Sequence, residues 1–555
     1  MPGRWGDSLS GKLVQVSIED EDGYEAISYT WGAQPPVVVI EVDSSLVAIG
    51  PNLALLLRRL RHEVQPRRLW VDTLCINQGD NDEKQAEMRR MDDIYRKASC
   101  TTIWLGEEDL ATAPAFELLR DLDQIMDQHW NEVAWWPTRE QLQARGLPVP
   151  EDPKWTALSS FLNNQWFLRT WILQEAALSQ NPWIRQGPHT FDWKKFVRIV
   201  LCLCDSTGVN NSHNVNLTLA NHVCKICARA EDFCHDPKLL DLMWLSRNSS
   251  ATNDEDKVFA LIGLAGDIDD VRSLIDLKHQ AREVYVKLAL HYLSQGDLRA
   301  LALAGDSTFG NVRGLPSWAA DWTGWTGYQP WTITLPYIRL EPCMFAWERK
   351  METLPEISQD QTKVTLQGQI VDSIAHVGTH IPFVWRRDRE DALPHLECWR
   401  RLAHRLSNEG KYTAEKQIDE AFAGLLALDA KRHLLGGSSY SEVYSRYITQ
   451  YKSGRSVAAT SHDDDQNAIV AEFRNLVGMH CTGRTFFTTS GGRMGLGPYF
   501  LRPGDRVAWF DGGSVPFAVR RAKKHYYKNV GDLYLAGTLH AEHHFAGTYE
   551  DICLI

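Results

Sequence analysis

The chain opens on short runs in which apolar and polar residues alternate, the period of a half-buried strand. Residues 12–19 (KLVQVSIE) and 24–30 (YEAISYT) read this way, and Val37 to Val42 is a β-branched run. The period then lengthens. Asn52 is placed to cap an amphipathic helix that reaches about His62 and carries leucines at 53, 56, 57 and 60. Leu69-Trp70-Val71 predicts a short buried strand. Residues 82–98 predict one helix, with Met88, Met91, Ile94, Tyr95 and Ala98 on a single face. TTIWL at 101–105 predicts another strand, and a helix follows from about Pro114 to Gln128. Strands alternating with helices predict an α/β fold, a parallel sheet with helices packed on it.

Pro137, Pro148, Pro150 and Pro153 make residues 131–153 an irregular insertion. Two helices follow, about 155–163 and 167–179, and the second (FLRTWILQEAAL) is apolar nearly all round, so it must be buried. From 190 to about 300 the pattern is mainly helical, interrupted by a polar loop near 206–221. Residues 364–379 read as strand and 388–454 as mostly helical, the polar run at 461–467 as a flexible loop, and the stretch from 483 onward as short β-runs among glycines and aromatics. The expected organisation is an N-terminal domain over 1–180, a mainly helical region over 181–330, and a mixed region over 331–555 with a helical insertion and a C-terminal β-rich part.

The predicted strand ends converge on one place. Trp31-Gly32, Asp72 and Gly106-Glu107 each follow a strand, and in open α/β sheets ligands bind beyond the carboxyl ends of the strands. A cleft there would hold Trp31, Asp72, Cys75, Asn77 and Gln78. Asp72 either caps a loop by accepting backbone N–H groups or belongs to that cleft. Trp31 is either core or a ring for stacking. Asp80 and Glu83 have capping-box spacing and read as helix-start devices. Cys75 has no histidine within these motifs to activate it and reads as a structural thiol.

Glu175 is the most informative residue. On a straight helix it shares a face with Leu168 and Ile172, where a carboxylate is costly unless paired or used. It is either an internal salt bridge to an arginine from elsewhere or a cleft carboxylate in a perturbed environment. Arg169, six positions away, points to a different side of a straight helix.

Length and composition narrow the classes. At roughly 100–200 residues per domain, 555 residues make about three folding units. A hydrophobic fraction of 44% with 23% charged residues is ordinary globular composition, with ample material for a core. A net charge of −12 and a pI near 5.9 argue against broad binding to a phosphate backbone; the basic group Arg520, Arg521, Lys523 and Lys524 reads as a solvated loop. No nucleic-acid partner is expected. No run reaches the ~18–20 apolar residues of a membrane span. MPGRWGDSLSGK lacks an apolar h-region, so no signal peptide is expected. Eleven scattered cysteines predict reduced thiols in a cytoplasmic setting. The cysteines at 202, 204, 224, 227 and 234 with His235 contain one C-x-x-C inside a helical pattern, and the cluster His540, Glu542, His543, His544 reads as surface, so no metal is expected. GGRMGLG at 491–497 reads as a β-turn region, and no G-x-x-x-x-G-K-[ST] is present.

Three segments stand out together: Tyr24-Glu-Ala-Ile-Ser28-Tyr29-Thr-Trp31-Gly32; Leu69-Trp70-Val-Asp72-Thr-Leu-Cys75-Ile-Asn77-Gln78; and Trp166-Phe167-Leu-Arg169-Thr-Trp171-Ile-Leu-Gln174-Glu175-Ala-Ala-Leu178. In this order and spacing, across 24–179, they resemble the heterokaryon incompatibility (HET) domain family. Ile27, Thr73 and Ser179 stand where Leu, Ala and Ala are usual. Asp256-Lys257-Val-Phe259-Ala-Leu-Ile-Gly263-Leu264, Leu315-Pro316-Ser317-Trp318-Ala-Ala-Asp321-Trp322 and the stretch from Gly495 to Phe517 also look like parts of full-length proteins of that kind.

The resemblance implies a fungal-type regulator of self/non-self recognition or programmed cell death. Its N-terminal domain would be the effector, and its partners a second copy or another incompatibility or receptor protein. That domain is in turn distantly similar to TIR domains, with Ser28-Tyr29 at a strand end, Asp72 after a second strand, and Trp171-x-x-x-Glu175 one residue longer than the TIR Trp-x-x-Glu. Enzymatic TIR domains cleave the nicotinamide–ribose bond of NAD. The similarity therefore implies Glu175 and Asp72 as catalytic residues, with Ser28, Tyr29, Trp31, Gly32, Asn77, Gln78, Arg169 and Trp171 around the ligand, NAD as a substrate and no required cofactor. The alternative is a non-catalytic adaptor that signals through homotypic contacts.

Overall fold

A computed structural model describes residues 1–18, 23–129, 139–149, 151–205, 218–232, 237–274, 276, 278–305, 310–324, 351–382, 392–406, 415–428, 438–452, 464–523, 525–536 and 548–555. The chain divides into two compact units, Met1–Gln280 and Ala281–Ile555. Among the described residues, no helix is long and apolar enough to cross a membrane. Among the described residues, no cysteine takes part in a disulfide.

The first unit is built on a five-stranded sheet. Its strands are β2 (Glu25–Tyr29), β5 (Leu69–Trp70), β6 (Cys100–Trp104), β7 (Pro182–Gln186) and β8 (His189–Asp192), in the order β5-β2-β6-β7-β8. The first four are mutually parallel, and β8 returns antiparallel on the edge. A second sheet joins β1 (Ser10–Gly11), β3 (Val38–Val42) and β4 (Ser45–Ile49). The β3–β4 hairpin turns through Asp43 and Ser44, both at positive φ, the backbone a twisted two-residue hairpin requires.

Alternation along β2 decides which side chains meet which helix. Ile27 and Tyr29 face helix α1 (Pro51–Leu60), packing with Leu53, Leu56, Leu60 and Trp104. Ala26 faces the other way, onto Met91 and Tyr95 of the sheet's opposite cover. On that side, α4 (Met91–Lys97) and α8 (Ile172–Ala177) pack together and α8 lies against β2 and β6. Phe116, Phe161, Trp166, Phe167, Trp193 and Phe196 form an aromatic core beside them.

Several expectations are corrected. Residues 12–17 form no strand and lie exposed; residue 19 falls outside the described residues. Helix α1 starts at Pro51 with Gly50 as its cap, because Pro is pre-organised for the first helical position. Asn52 instead donates to the Thr30 carbonyl (2.8 Å) and accepts from Trp104 Nε1 (2.8 Å). The run 82–98 breaks at Arg89–Arg90 into α3 (Asn81–Met88) and α4. The run 167–179 is likewise not one helix: a 3-10 turn at Gln165–Leu168 gives way to an extended Arg169, and α8 begins only at Ile172. The proline-rich insertion contains a helix at Arg139–Ala144, with 130–138 outside the described residues. The boundary expected at 180 falls between α8 and β7, inside a compact unit that runs to Gln280.

The second unit carries helices Ala281–Ser294 and Arg299–Leu303, then a strand-rich body. Its axis is β10 (Val364–His380), with β9 (Glu356–Ile357), β11 (Arg484–Thr489), β12 (Met494–Pro498), β13 (Arg506–Phe510), β14 (Phe517–Arg521), β15 (Tyr526–Asp532), β16 (Tyr534–Leu535) and β17 (Glu550–Leu554). The first part of β10 pairs with both β17 and β13, and β13, β14, β15 and β17 complete the ring, closing a barrel. The rest of β10 pairs with β11 and leads to β12 and β16. At the hand-over stands Gly368: a Cβ there would lie 2.9 Å from Phe510 Cδ1 and 3.0 Å from both Ile552 Cδ1 and the Trp509 carbonyl.

The expected helical insertion between β10 and β11 consists of Ala392–Arg405, Glu415–Leu426, Tyr440–Lys452 and Asp464–Cys481. Residues 464–467 of the expected loop are therefore helical, and 461–463 lie outside the described residues. So do 206–217 of the other polar loop and the cluster at 540–544.

Candidate functional site

At the carboxyl ends of β2 and β5 the motif residues gather around Glu175. Its side chain stands on α8, 3% exposed, and accepts a hydrogen bond from Ser28 Oγ of β2. Ser28 Oγ in turn accepts from the Trp166 indole at 2.8 Å, so a chain of donors runs from the aromatic core to the carboxylate. Burial is the largest influence on Glu175 and pushes it up to about 7; Arg169 and the Ser28 hydrogen bond pull it down, and the charge of Asp72 pushes it up.

Because the chain is extended at Arg169, that side chain turns back toward β2 and donates to the Tyr29 carbonyl. The sequence-based expectation that Arg169 points away from Glu175 is overturned, since it rests on a straight helix that does not form.

Asp72 opens the four-residue helix α2 (Asp72–Cys75). Its Oδ1 accepts from the Thr73 N–H (2.7 Å) and Thr73 Oγ1 (3.0 Å), while its Oδ2 accepts from Trp31 Nε1 (2.8 Å). Thr73 Oγ1 also bonds the Tyr29 hydroxyl, whose proton is held more tightly because the group is buried and lies near Asp72. The cluster thus steps from buried Glu175 to Trp31, which is 46% exposed. Gly32, at φ +81°, turns the chain away after Trp31.

Other expected residues lie at its margin. Gln78 Nε2 holds the Asp72 carbonyl (3.0 Å), and Asn77 Oδ1 accepts from the Gly79 N–H (3.1 Å), closing its own turn. Asp80 caps α3 by accepting from the Asp82 and Glu83 N–H groups, and Glu83 accepts from the Asn77 N–H (3.0 Å). Trp171 packs with Ala26, Met91, Tyr95 and Ala98. Glu107 pairs with Arg59 at 2.6 Å. Burial pushes the Cys75 thiol up, which suits a structural thiol. Among the described residues, no group of three or more His, Cys, Asp or Glu gathers as metal ligands.

The residues that sequence reasoning passed over are Trp166 and Thr73. Trp166 lies in the third motif, and nothing in periodicity tells which indole N–H meets a serine. Chemically, the arrangement offers a carboxyl group with a proton affinity near neutrality, a guanidinium beside it, a second carboxylate and an outward indole.

The heterokaryon incompatibility protein (HET) family model matches residues 24–175, the span that contributes this cluster. The chain carries a heterokaryon-incompatibility domain. A second model, the Het-6 beta-barrel domain, matches residues 429–555; the stave β10 that closes the barrel lies before that span. A relative named Heterokaryon incompatibility protein 6, OR allele, from Neurospora crassa is 23% identical over 653 residues, covering 99% of this chain and 94% of the relative. No solved structure matches the chain.

Proposed function

We propose that this HET-domain protein is an incompatibility effector of programmed cell death whose first unit cleaves the nicotinamide–ribose bond of NAD once its site opens. The observation that carries the reading is Glu175, a desolvated carboxyl group poised near neutral pH beside Arg169 and within the influence of Asp72. Breaking the bond leaves an oxocarbenium-like ribose. A carboxylate stabilises that charge and accepts the proton of the attacking water, while nicotinamide departs with the bonding electron pair and the water oxygen joins C1′. Arg169 suits a phosphate group and Trp31 a flat ring.

With Glu175 only 3% exposed and held by Ser28, this conformation is a resting one, and turnover requires α8 to part from β2. The same burial favours the second reading, an adaptor that signals by homotypic contact with another copy or with a receptor. Val39 and Leu46, 60% and 79% exposed on the β3–β4 hairpin, offer an apolar face for that contact.

The test is NAD loss and nicotinamide release by the full chain at high concentration with a crowding agent, beside Glu175→Gln. Turnover that falls at least ~100-fold in the variant, with folding intact, supports the enzyme. A folded, self-associated chain without turnover overturns it in favour of the adaptor.

A further inference from the structure

The motif Asp256-Lys257-Val-Phe259 lies beyond the family match, yet it reaches the site. Both charged side chains are buried, on a helix (Asp256–Ile262) buried along its whole length. Burying two ionisable groups is costly unless each has a partner. They do not pair with each other. Lys257 Nζ donates to the Arg247 carbonyl (3.2 Å) and to the Ser249 carbonyl. The serines beside that lysine then grip the motif segment. Thr170 N–H donates to the Ser250 carbonyl (3.0 Å), Ser250 N–H donates to the Leu168 carbonyl, and Thr170 Oγ1 lies 2.9 Å from Ser249 Oγ. Farther along, Gln174 Nε2 donates to the Phe259 carbonyl at 3.3 Å.

We infer that Lys257 is a positioning residue that keeps the 168–174 segment from closing into one helix and thereby holds Arg169 against the Glu175 cluster. The apolar period of 167–179 favours a continuous helix, in which Arg169 and Glu175 point apart. The grip of Ser249 and Ser250 on Leu168 and Thr170 replaces the helical hydrogen bonds forfeited there. It sustains the extended Arg169 (φ −74°, ψ 138°), bridged to Ser250, and so delivers the guanidinium to the Tyr29 carbonyl. Burial, pushing Lys257 down to about 8, fits a group retained for geometry at a cost in stability. The clasp matters to function only if the Glu175 cluster is the functional site, as proposed above; its test reads amide exchange and titration, so a chain without NAD turnover does not decide it.

The experiment is hydrogen exchange by mass spectrometry on the full chain, comparing Lys257→Met and Lys257→Arg with wild type. Lys257→Met is expected to change exchange at 168–176 about tenfold while leaving the strands at 506–532 unaltered. Lys257→Arg, which keeps a cation that donates to the Ser249 carbonyl, is expected to stay close to wild type. In the Lys257→Met background, the pH midpoint at which Glu175→Gln alters the melting temperature is expected to rise by about one unit, because the nearby Arg169 cation is withdrawn. Exchange at 168–176 that does not change, or that changes evenly across 1–280 in both variants, overturns the assignment, as does an unmoved midpoint. If Lys257→Met fails to fold, Lys257→Gln decides by the same two readouts.

Discussion

Replacing Glu175 by Gln is expected to stabilise the chain at alkaline pH and to do little at acidic pH. In the native state Glu175 holds its proton to about 7, against an ordinary value of 4.5, chiefly because burial penalises the charged form. Below about pH 4.5 the group is neutral in both native and unfolded chains and costs nothing. Between about 4.5 and 7 the unfolded chain ionises while the native one resists, so ionisation favours unfolding and stability falls through that window. Above 7 the loss is complete and levels off. The gap corresponds to roughly 3 kcal/mol. No large discount for solvent screening applies, since the side chain is nearly sealed. Gln cannot ionise and still accepts from Ser28 Oγ, so it removes the penalty and keeps the contact. For a unit of 280 residues, about 2 °C accompanies each kcal/mol, and the variant should melt roughly 6 °C higher than wild type at pH 8 and within about 1 °C of it at pH 4.5. Differential scanning calorimetry of the first transition, run from pH 4.5 to 8.5 on both chains, measures this. A difference that does not change with pH, or a variant that melts lower at pH 8, would refute the claim that Glu175 is a desolvated carboxylate.

Three further outcomes are expected. Ser28→Ala removes the donor to Glu175 and the acceptor of the Trp166 indole, and should cost about 1–3 kcal/mol by chemical denaturation while raising the Glu175 midpoint further. Gly368→Ala forces a Cβ to within 3.0 Å of Phe510, Ile552 and the Trp509 carbonyl, and should cost about 1–3 kcal/mol in the barrel unit; a Glu175 pH profile unchanged in that variant would place the loss there alone. Asp92 is buried and paired with Arg272 at 2.9 Å, so Arg272→Met should destabilise the first unit by about 1–3 kcal/mol, whereas the double change Asp92→Asn with Arg272→Met should recover part of the loss in a denaturant double-mutant cycle.

Sequence alone settled those features that depend on neighbours along the chain. Alternation in YEAISYT placed β2. The Asp80–Glu83 spacing announced the start of α3, and the three motifs pointed to the family of the domain. Local propensity could not decide where a helical period would be interrupted. Residues 167–179 carry an unbroken apolar pattern, and only the serines at 249 and 250, some eighty positions later, interrupt it. For the same reason the association of Arg169 with Glu175, the hydrogen bond from Trp166 to Ser28, and the raised proton affinity of Glu175 were illegible: each depends on which side chains meet after the sheet and helices have packed and water has been excluded. The barrel follows the same rule. Short β-runs after residue 483 are evident in the pattern, but its closing stave is supplied by 364–373, because a sheet becomes a barrel only when a strand distant in sequence can pair with both of its edges.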